Sequence, residues 1–162
     1  MINIVLHEPE IPQNTGNISR TCAATGMALH IIKPMGFEIS DRTVRRAGLD
    51  YWHMLKLYIY EDLSDFFSKN SGMFYYCSTK SRHVYSDVDL TDKNLYLVFG
   101  KETKGLPEKL LYENYDRCIR IPMIENARSL NLSNAVAIIA YEALRQQSFK
   151  GLKPYGSLTI SN

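Results

Sequence analysis

A strand, a turn and a helix start follow one another in residues 95–107, which read LYLVFGKETKGLP. The first five, Leu95–Phe99, are apolar and rich in the aromatic and β-branched side chains that favour strands. Two glycines follow, and Pro107 suits the first turn of a helix that continues to about Glu113. A strand without polar positions is typical of a sheet that is covered on both faces. This stretch predicts one strand–helix unit of an α/β domain.

The same order repeats on both sides of this stretch. Apolar runs predict strands, and segments with helical periodicity predict helices between them. The further strands are predicted at residues 2–6, 29–33, 55–60, 73–78 and 118–121, and the further helices at residues 15–25, 40–48, 61–69 and 132–147. We therefore expect a mostly parallel sheet of five or six strands with helices on both faces. We expect one domain over residues 1–162, in which residues 149–162 form a loosely ordered tail.

Composition excludes several classes of protein. Of 162 residues, 45% are hydrophobic and 22% are charged, as in folded globular chains. Because there is neither an apolar run of membrane-spanning length nor a secretory signal, we expect a cytoplasmic protein with no membrane partner. The three cysteines and four histidines are scattered, which fits neither a disulfide framework nor a metal site. We interpret the cysteines as small buried apolar residues and the histidines as surface or structural residues, and we expect no metal.

Ligands of open α/β sheets bind at the carboxyl ends of the strands, where three loops have unusual sequences. The first loop, residues 9–22, reads PEIPQNTGNISRTC. It is stiffened by two prolines, begins a helix whose free N–H groups could bind an anion, and carries Arg20 one turn later. Alternatively, Asn14, Thr15 and Asn17 only cap this helix and Arg20 lies on a solvated face.

The second loop contains Gly100 and Gly105, which imitate a P-loop. The lysine and the hydroxyl residue that a P-loop needs are replaced by Leu106 and Pro107, so this interpretation fails. What remains is a glycine-rich turn that allows close approach to a ligand, together with the carboxylate of Glu102. A plain strand-to-helix turn is the alternative.

The third loop, residues 120–135, reads RIPMIENARSLNLSNA. Ser129, Asn131, Ser133 and Asn134 supply more polar side chains than one helix cap needs, which favours a bound polar ligand over structural hydrogen bonding.

The helix after this loop is apolar on nearly all sides, which is typical of burial all round. The residues that widen its apolar face are Ala135, Ala137, Ile138, Ala140 and Tyr141. In a domain of this size, a second subunit would cover the additional face. A central helix within one chain is the alternative.

Residues 9–22, 97–107 and 120–146 resemble, in this order, the three motifs of the SPOUT class of methyltransferases and of its SpoU/TrmH branch. The likeness covers nearly the whole chain and is strongest to the small TrmL-type tRNA 2′-O-methyltransferases, which modify the wobble nucleotide. It implies a C-terminal trefoil knot, a homodimer, S-adenosylmethionine as donor with S-adenosylhomocysteine as product, and the tRNA anticodon stem–loop as partner. A ribosomal RNA methyltransferase and an inactive dimeric RNA-binding protein are the alternatives.

The resemblance also assigns site residues by position. The cofactor residues that it implies are Cys77, Ser78, Thr79, Gly100, Glu102, Ile121, Met123, Ser129 and Leu130. As the catalytic residue it implies Arg20. The further catalytic candidates are Asn17, which lies beside Arg20, and Glu102, Ser133 and Asn134. Because an arginine is a poor base, we interpret Arg20 as a group that holds the ribose and stabilises its alkoxide, while Glu102 orients Arg20, of the same or the opposite subunit.

A cluster of basic residues is more informative than the net charge of only +2. Arg42, Arg45 and Arg46 share one short predicted helix and are suited to contact phosphates of the anticodon stem–loop. Residues 51–53, which are Tyr, Trp and His, follow closely and could stack on single-stranded bases. A solvated helix face is the alternative for the three arginines.

Overall fold

Seven strands form one sheet in the part of the chain that the computed structural model describes, residues 1–37 and 53–158. The strands are β1 (Ile2–His7), β2 (Ala28–Ile32), β3 (Lys56–Tyr60), β4 (Met73–Cys77), β5 (His83–Val84), β6 (Leu95–Phe99) and β7 (Cys118–Arg120). The helices are α1 (Pro12–Thr25), α2 (Leu63–Lys69), α3 (Glu108–Glu113) and α4 (Leu132–Gln146), with a short 3₁₀ turn at Tyr115–Arg117.

The strand order is β3-β2-β1-β6-β4-β7-β5, and every strand pair is parallel. In the centre, Val5 of β1 is in register with His30 of β2 on one side and with Val98 of β6 on the other. All residues of β1, β2 and β6 are buried, as expected for parallel strands with helices on both faces. The predicted α/β fold is confirmed.

Alternate residues of the central strands build two apolar cores, one on each face. On one face, Ile4 and Leu97 belong to the core that α1 and α4 cover, into which Ile139 is fully buried. On the other face, Val5 and Val98 belong to the core of α2 and α3. The sheet is thus the middle of three layers.

Some predicted boundaries differ from the structure. Helix α1 begins at Pro12 rather than at residue 15, because proline at the first helical position brings its own helical φ and needs no N–H partner. Strand β5 has two residues, too few for a sequence pattern, and was not predicted. The predicted helix at residues 40–48, with Arg42, Arg45 and Arg46, lies outside the described residues.

The C-terminal part of the chain passes between earlier segments. Strand β7 lies between β4 and β5, and α4 then returns to pack on α1 and β1. This crossing is compatible with a knot, and the trefoil knot itself stays a prediction of the resemblance. Within the described ranges, none of the helices has the length and apolar character needed to cross a membrane.

Candidate active site

A cleft of about 600 Å³ opens at the carboxyl ends of β4, β6 and β7, beside the start of α1. This volume lies in the range of small-molecule sites. Residues of all three unusual loops line it, although they are distant along the chain. All nine residues that the resemblance assigns to the cofactor are among them. The structure therefore brings these nine predicted residues together in one place.

Glu102 ties the second loop to the first. Its carboxylate accepts hydrogen bonds from the backbone N–H groups of Glu10 (2.8 Å) and Ile11 (3.2 Å), and from the side-chain amide of Asn14 (3.0 Å). These donors lie at the start of α1, where unpaired N–H groups attract an anion. The anion at this helix start is thus a carboxylate of the chain itself. Glu102 accepts the hydrogen bonds for which the sequence suggested a ligand anion.

Asn14 and Asn131 extend this connection to the third loop. Asn14 is buried, and its side-chain oxygen accepts a hydrogen bond of 2.9 Å from the side-chain amide of Asn131. A relay of Glu102, Asn14 and Asn131 therefore joins all three loops. Neither asparagine is among the predicted catalytic or cofactor residues. For Asn14 the sequence left a helix cap and an anion-binding helix start open, and Asn131 was one of the polar side chains that favour a bound ligand. Their side chains are the polar groups that face each other across the two helix starts.

The backbone of the first loop is also fixed by Glu10. Its carboxylate accepts hydrogen bonds from the N–H (3.0 Å) and the hydroxyl (2.8 Å) of Thr103, which lower the pKa of Glu10 below its ordinary value. Two residues earlier in each loop, Lys101 forms an ion pair with Glu8. Glu10 and Glu102 thus bind each other's loops reciprocally.

Gly100 is required by the shape of the turn. A Cβ atom at this position would lie 2.0 Å from the carbonyl carbon of Gly105 and 2.1 Å from the nitrogen of Leu106. The turn folds back because the N–H of Gly105, at φ +71°, bonds to the carbonyl of Lys101. Gly100 lines the cleft, but the backbone that approaches it most closely belongs to its own turn.

Two of the four small polar side chains singled out in the third loop, those of Asn131 and Ser133, have structural partners. Asn131 caps α4 by accepting hydrogen bonds from the N–H groups of Ser133 (2.9 Å) and Asn134 (3.4 Å), and from the Ser133 hydroxyl (2.7 Å). Ser129 instead lines the cleft, whereas Ser133 and Asn134 do not. Asn131 and Ser133 thus have structural partners, and Asn131 also lines the cleft, so a role of these residues towards a ligand stays a prediction.

Arg20 and Asn17 lie on the exposed side of α1, three residues apart and therefore on one face. Neither residue lines the cleft of its own chain. The carboxylate of Glu102 is directed to the loop before α1 and to Asn14. The predicted catalytic residues are thus not gathered in one cleft as the cofactor residues are.

The cysteines and histidines of the chain are unsuited to act as nucleophile or base in the cleft. Burial raises the pKa of the Cys77 thiol well above its usual range, so this lining residue stays protonated. None of the four histidines lines the cleft, and burial lowers the pKa of His30 to about 4. In residues 1–37 and 53–158, we find no group of metal-ligating side chains.

Comparison with known proteins agrees with this geometry. The model of the SpoU rRNA methylase family matches residues 1–141. A relative from Listeria innocua is 60% identical over 93% of this chain and 90% of its own length. The tRNA (cytidine(34)-2′-O)-methyltransferase of Escherichia coli is 48% identical over 93% of this chain and 97% of its own.

Solved structures share the fold. One, from work on the 2-OH methylation of C/U34 on tRNA, has a TM-score of 0.85 and 39% identity, and the match covers 91% of this chain and 97% of that one. The AdoMet-bound rRNA methyltransferase of Sinorhizobium meliloti has a TM-score of 0.78 and 27% identity, over 89% of this chain and 56% of that one. With its parallel sheet, its three joined loops and these relatives, the chain belongs to the SpoU rRNA methylase family.

Proposed function

We propose that this chain transfers a methyl group from S-adenosylmethionine to the ribose 2′-hydroxyl of the wobble nucleotide of tRNA. The observation that carries the proposal is the relay of Glu102, Asn14 and Asn131, which closes three loops around one cleft. Support for the tRNA substrate comes from the Escherichia coli relative, which acts on cytidine 34 by its name.

The cleft has the chemistry that the donor needs. Adenine is neutral and flat, so backbone N–H and C=O groups can read its edges while apolar side chains cover its faces. Gly100, Ile121 and Leu130 supply such backbone and apolar surface, and small residues such as Ser129 allow close approach. Bound S-adenosylmethionine supplies an electrophilic methyl group on a sulfonium. The task of the protein is to hold the ribose oxygen in line with it.

Arg20 is proposed to bind the ribose and to stabilise the negative charge that develops on its O2′ atom. A guanidinium holds its own protons at neutral pH, so the hydroxyl proton passes to water or to a neighbouring RNA phosphate. Asn17 lies on the same side of α1 and is proposed to help position the sugar. Ser133 and Asn134, at the start of α4, complete the set of proposed catalytic residues.

A homodimer is the proposed assembly. Helix α4 buries Val136, Ile139 and Ala143 in its own chain, yet Ile138 and Tyr141 on its other side are 36% and 50% exposed. Apolar side chains on the outer face of a covering helix are typical of an interface. Arg20 does not line the cleft of its own chain. In a dimer, Arg20 of one copy would reach the cleft of the other copy.

We also propose a domain organisation, a location and a set of tRNA contacts for this chain. One domain over residues 1–162 with a loose tail from about residue 149 would act in the cytoplasm. The anticodon stem–loop would be bound in part by Arg42, Arg45 and Arg46, whose positively charged side chains suit phosphates.

Labelling distinguishes the candidate substrates. The purified protein is incubated with S-adenosylmethionine labelled in the methyl group and with total RNA, and the labelled RNA is sized. We expect label in tRNA, and mass spectrometry should locate it on the ribose at the wobble position. Label in ribosomal RNA instead would support the alternative substrate, and no label would support a binding protein without activity.

Arg20→Ala tests the catalytic assignment. We expect methyl transfer to fall below detection while the affinity for S-adenosylhomocysteine stays within about twofold, because Arg20 does not line its own cleft. Arg117→Ala, at an exposed arginine outside the cleft, is the matched control and should keep full activity. Loss of both activity and cofactor binding in Arg20→Ala would mean that this arginine is structural.

A further inference from the structure

The cationic side chains around the cleft differ in whether a carboxylate lies near them. Among the described residues, five cationic side chains line the cleft, of which three are lysines. Each lysine has a carboxylate nearby: Lys80 is paired with Glu108, Lys101 with Glu8, and the charge of Lys104 acts on Glu10. The carboxylate of Glu102 is occupied by its own amide donors.

The two arginines differ from the lysines. Arg120 and Arg128 also line the cleft, and neither forms an ion pair with any carboxylate among the described residues. Arg120 is partly exposed at the end of β7, and Arg128 is exposed in the third loop, so both guanidinium groups lie where the cleft meets solvent. The mouth of the cleft therefore carries two guanidinium groups that form no ion pair within the described residues.

The methyl donor does not account for this charge. S-adenosylmethionine has a sulfonium, an ammonium and a carboxylate, so its net charge is positive and two free guanidinium groups oppose its binding. A ligand that suits them is an anion with several oxygens, which guanidinium groups bind in a bidentate manner. The RNA substrate brings such groups in its phosphates.

We propose that Arg120 and Arg128 form a phosphate-binding rim at the mouth of the cleft, which holds the RNA backbone next to the methyl donor. The inference rests on the proposed function, since it requires an RNA substrate. It assigns RNA contacts to the third loop in addition to those predicted for residues 42–46.

The rim also couples the two substrates. RNA phosphates neutralise both guanidinium groups, so bound RNA removes a repulsion that only the cationic donor experiences. S-adenosylhomocysteine has no net charge and gains little. By reciprocity, the donor favours RNA binding more than the product does, which assists release after transfer.

Binding measurements test the rim without turnover. The probe is an anticodon stem–loop with a 2′-deoxy wobble nucleotide, and its affinity is measured by fluorescence anisotropy between 50 and 200 mM salt, for the wild type, Arg120→Gln and Arg128→Gln. We expect each variant to bind roughly tenfold more weakly at low salt, as for one lost charge-assisted contact. The slope of log affinity against log salt should fall by about 0.7 to 0.9 for each lost phosphate contact.

Controls separate this role from others. Lys93→Gln removes one charge at the opposite edge of the sheet and should keep the wild-type slope. Arg128→Lys keeps the charge and should therefore recover most of the wild-type slope. A variant that had lost RNA binding because it misfolds would not recover this slope. If Arg120→Gln and Arg128→Gln bind RNA like Lys93→Gln, the proposal is overturned.

Donor and product affinities complete the test. Calorimetry should show that the stem–loop tightens S-adenosylmethionine binding more than S-adenosylhomocysteine binding, and that this difference shrinks in Arg128→Gln. If the variant instead weakens both ligands equally without RNA, Arg128 holds the donor carboxylate and the rim is refuted. Wild-type labelling of tRNA tests the proposed function separately, so a failure of the rim can be told apart from a failure of the proposed function.

Discussion

Two parts of the cleft wall are held in different ways. The tied wall, residues 8–14 and 100–106, is fixed by the two reciprocal carboxylates Glu10 and Glu102 and by the ion pair of Lys101 with Glu8. The open wall, residues 121–130, contains no helix or strand, and all of its residues from 124 to 130 are exposed. One turn bond, from the N–H of Ala127 to the carbonyl of Ile124, lies within it.

The difference indicates a division of roles. Local stability follows the density of buried contacts and hydrogen bonds, so the tied wall keeps its shape without a ligand and the open wall depends more on one. A fixed wall can place the donor, and an exposed wall that carries Arg128 and adjoins Arg120 can receive a second, larger substrate. Asn131 directly follows the open wall, and the relay from Glu102 through Asn14 to Asn131 attaches it to the tied wall.

The largest expected effect comes from the turn of the tied wall. In Gly100→Ala the new methyl group meets backbone at 2.0 Å, which cannot be relieved by a side-chain rotation. We expect the free energy of unfolding to fall by about 4 kcal/mol, measured by urea denaturation. Gly156→Ala, where the added atom meets open space, should leave the stability unchanged. A Gly100→Ala protein as stable as the wild type would show that the turn is not rigid.

The attachment of the two walls can be broken by changing one atom. Asn14→Asp replaces the amide that donates to Glu102 by an oxygen, so two carboxylates meet at about 3 Å in a buried place. We expect a loss of about 2 kcal/mol at neutral pH, measured by denaturation. Asn134→Asp, the same change on an exposed residue, should alter the stability by less than about 0.5 kcal/mol.

The pH dependence of this variant has a definite sign. Like charges raise the pKa of the carboxyl pair in the folded state, so the unfolded state releases its protons first as the pH rises. The penalty of Asn14→Asp should therefore be greatest at neutral pH and should shrink as the pH falls and one carboxyl becomes protonated. A penalty that stays constant from pH 7 to pH 4 would contradict the contact between residues 14 and 102.

The regular part of the fold could be predicted because its signal is local. The strand at residues 95–99 is found within the same bounds, since five successive apolar residues can only be buried in the middle of such a sheet. Helix α4 was predicted to within one residue, because its apolar periodicity runs into a polar loop. Strand β5 depends on its neighbour β7 and has no pattern of its own.

The location of the site could be predicted from the sequence, but the contacts within the site could not. Loops at the carboxyl ends of parallel strands meet at one edge, so the three unusual segments were expected to converge. Which of their polar groups pair with each other is decided by contacts such as that of Asn14 with Glu102, 88 residues apart. No local spacing encodes such a pair, and a caps-only interpretation of Asn14 was therefore wrong.

The smallest expected effect concerns the reciprocal carboxylate of the tied wall. The pKa of Glu10 lies below its ordinary value of 4.5, chiefly because the hydroxyl and the N–H of Thr103 donate to its charged form. This contribution to stability is present above pH 4.5 and is lost as the pH falls through the lowered pKa. Thr103→Val removes the hydroxyl and keeps the N–H, so the pKa of Glu10 should rise only part of the way towards 4.5.

A carbon-detected NMR titration of the carboxyl groups measures this shift and contains its own control. Asp89 has its pKa lowered in the same way, by the hydroxyl and the N–H of Thr91, at a place outside the cleft. In Thr103→Val the midpoint of Asp89 should stay where it is while that of Glu10 rises. If neither midpoint moves, the Thr103 hydroxyl does not stabilise the carboxylate, and the N–H of residue 103 is the group that binds Glu10. A full rise to 4.5 would instead mean that the backbone bond is lost as well, so that the wall depends on the hydroxyl for its shape.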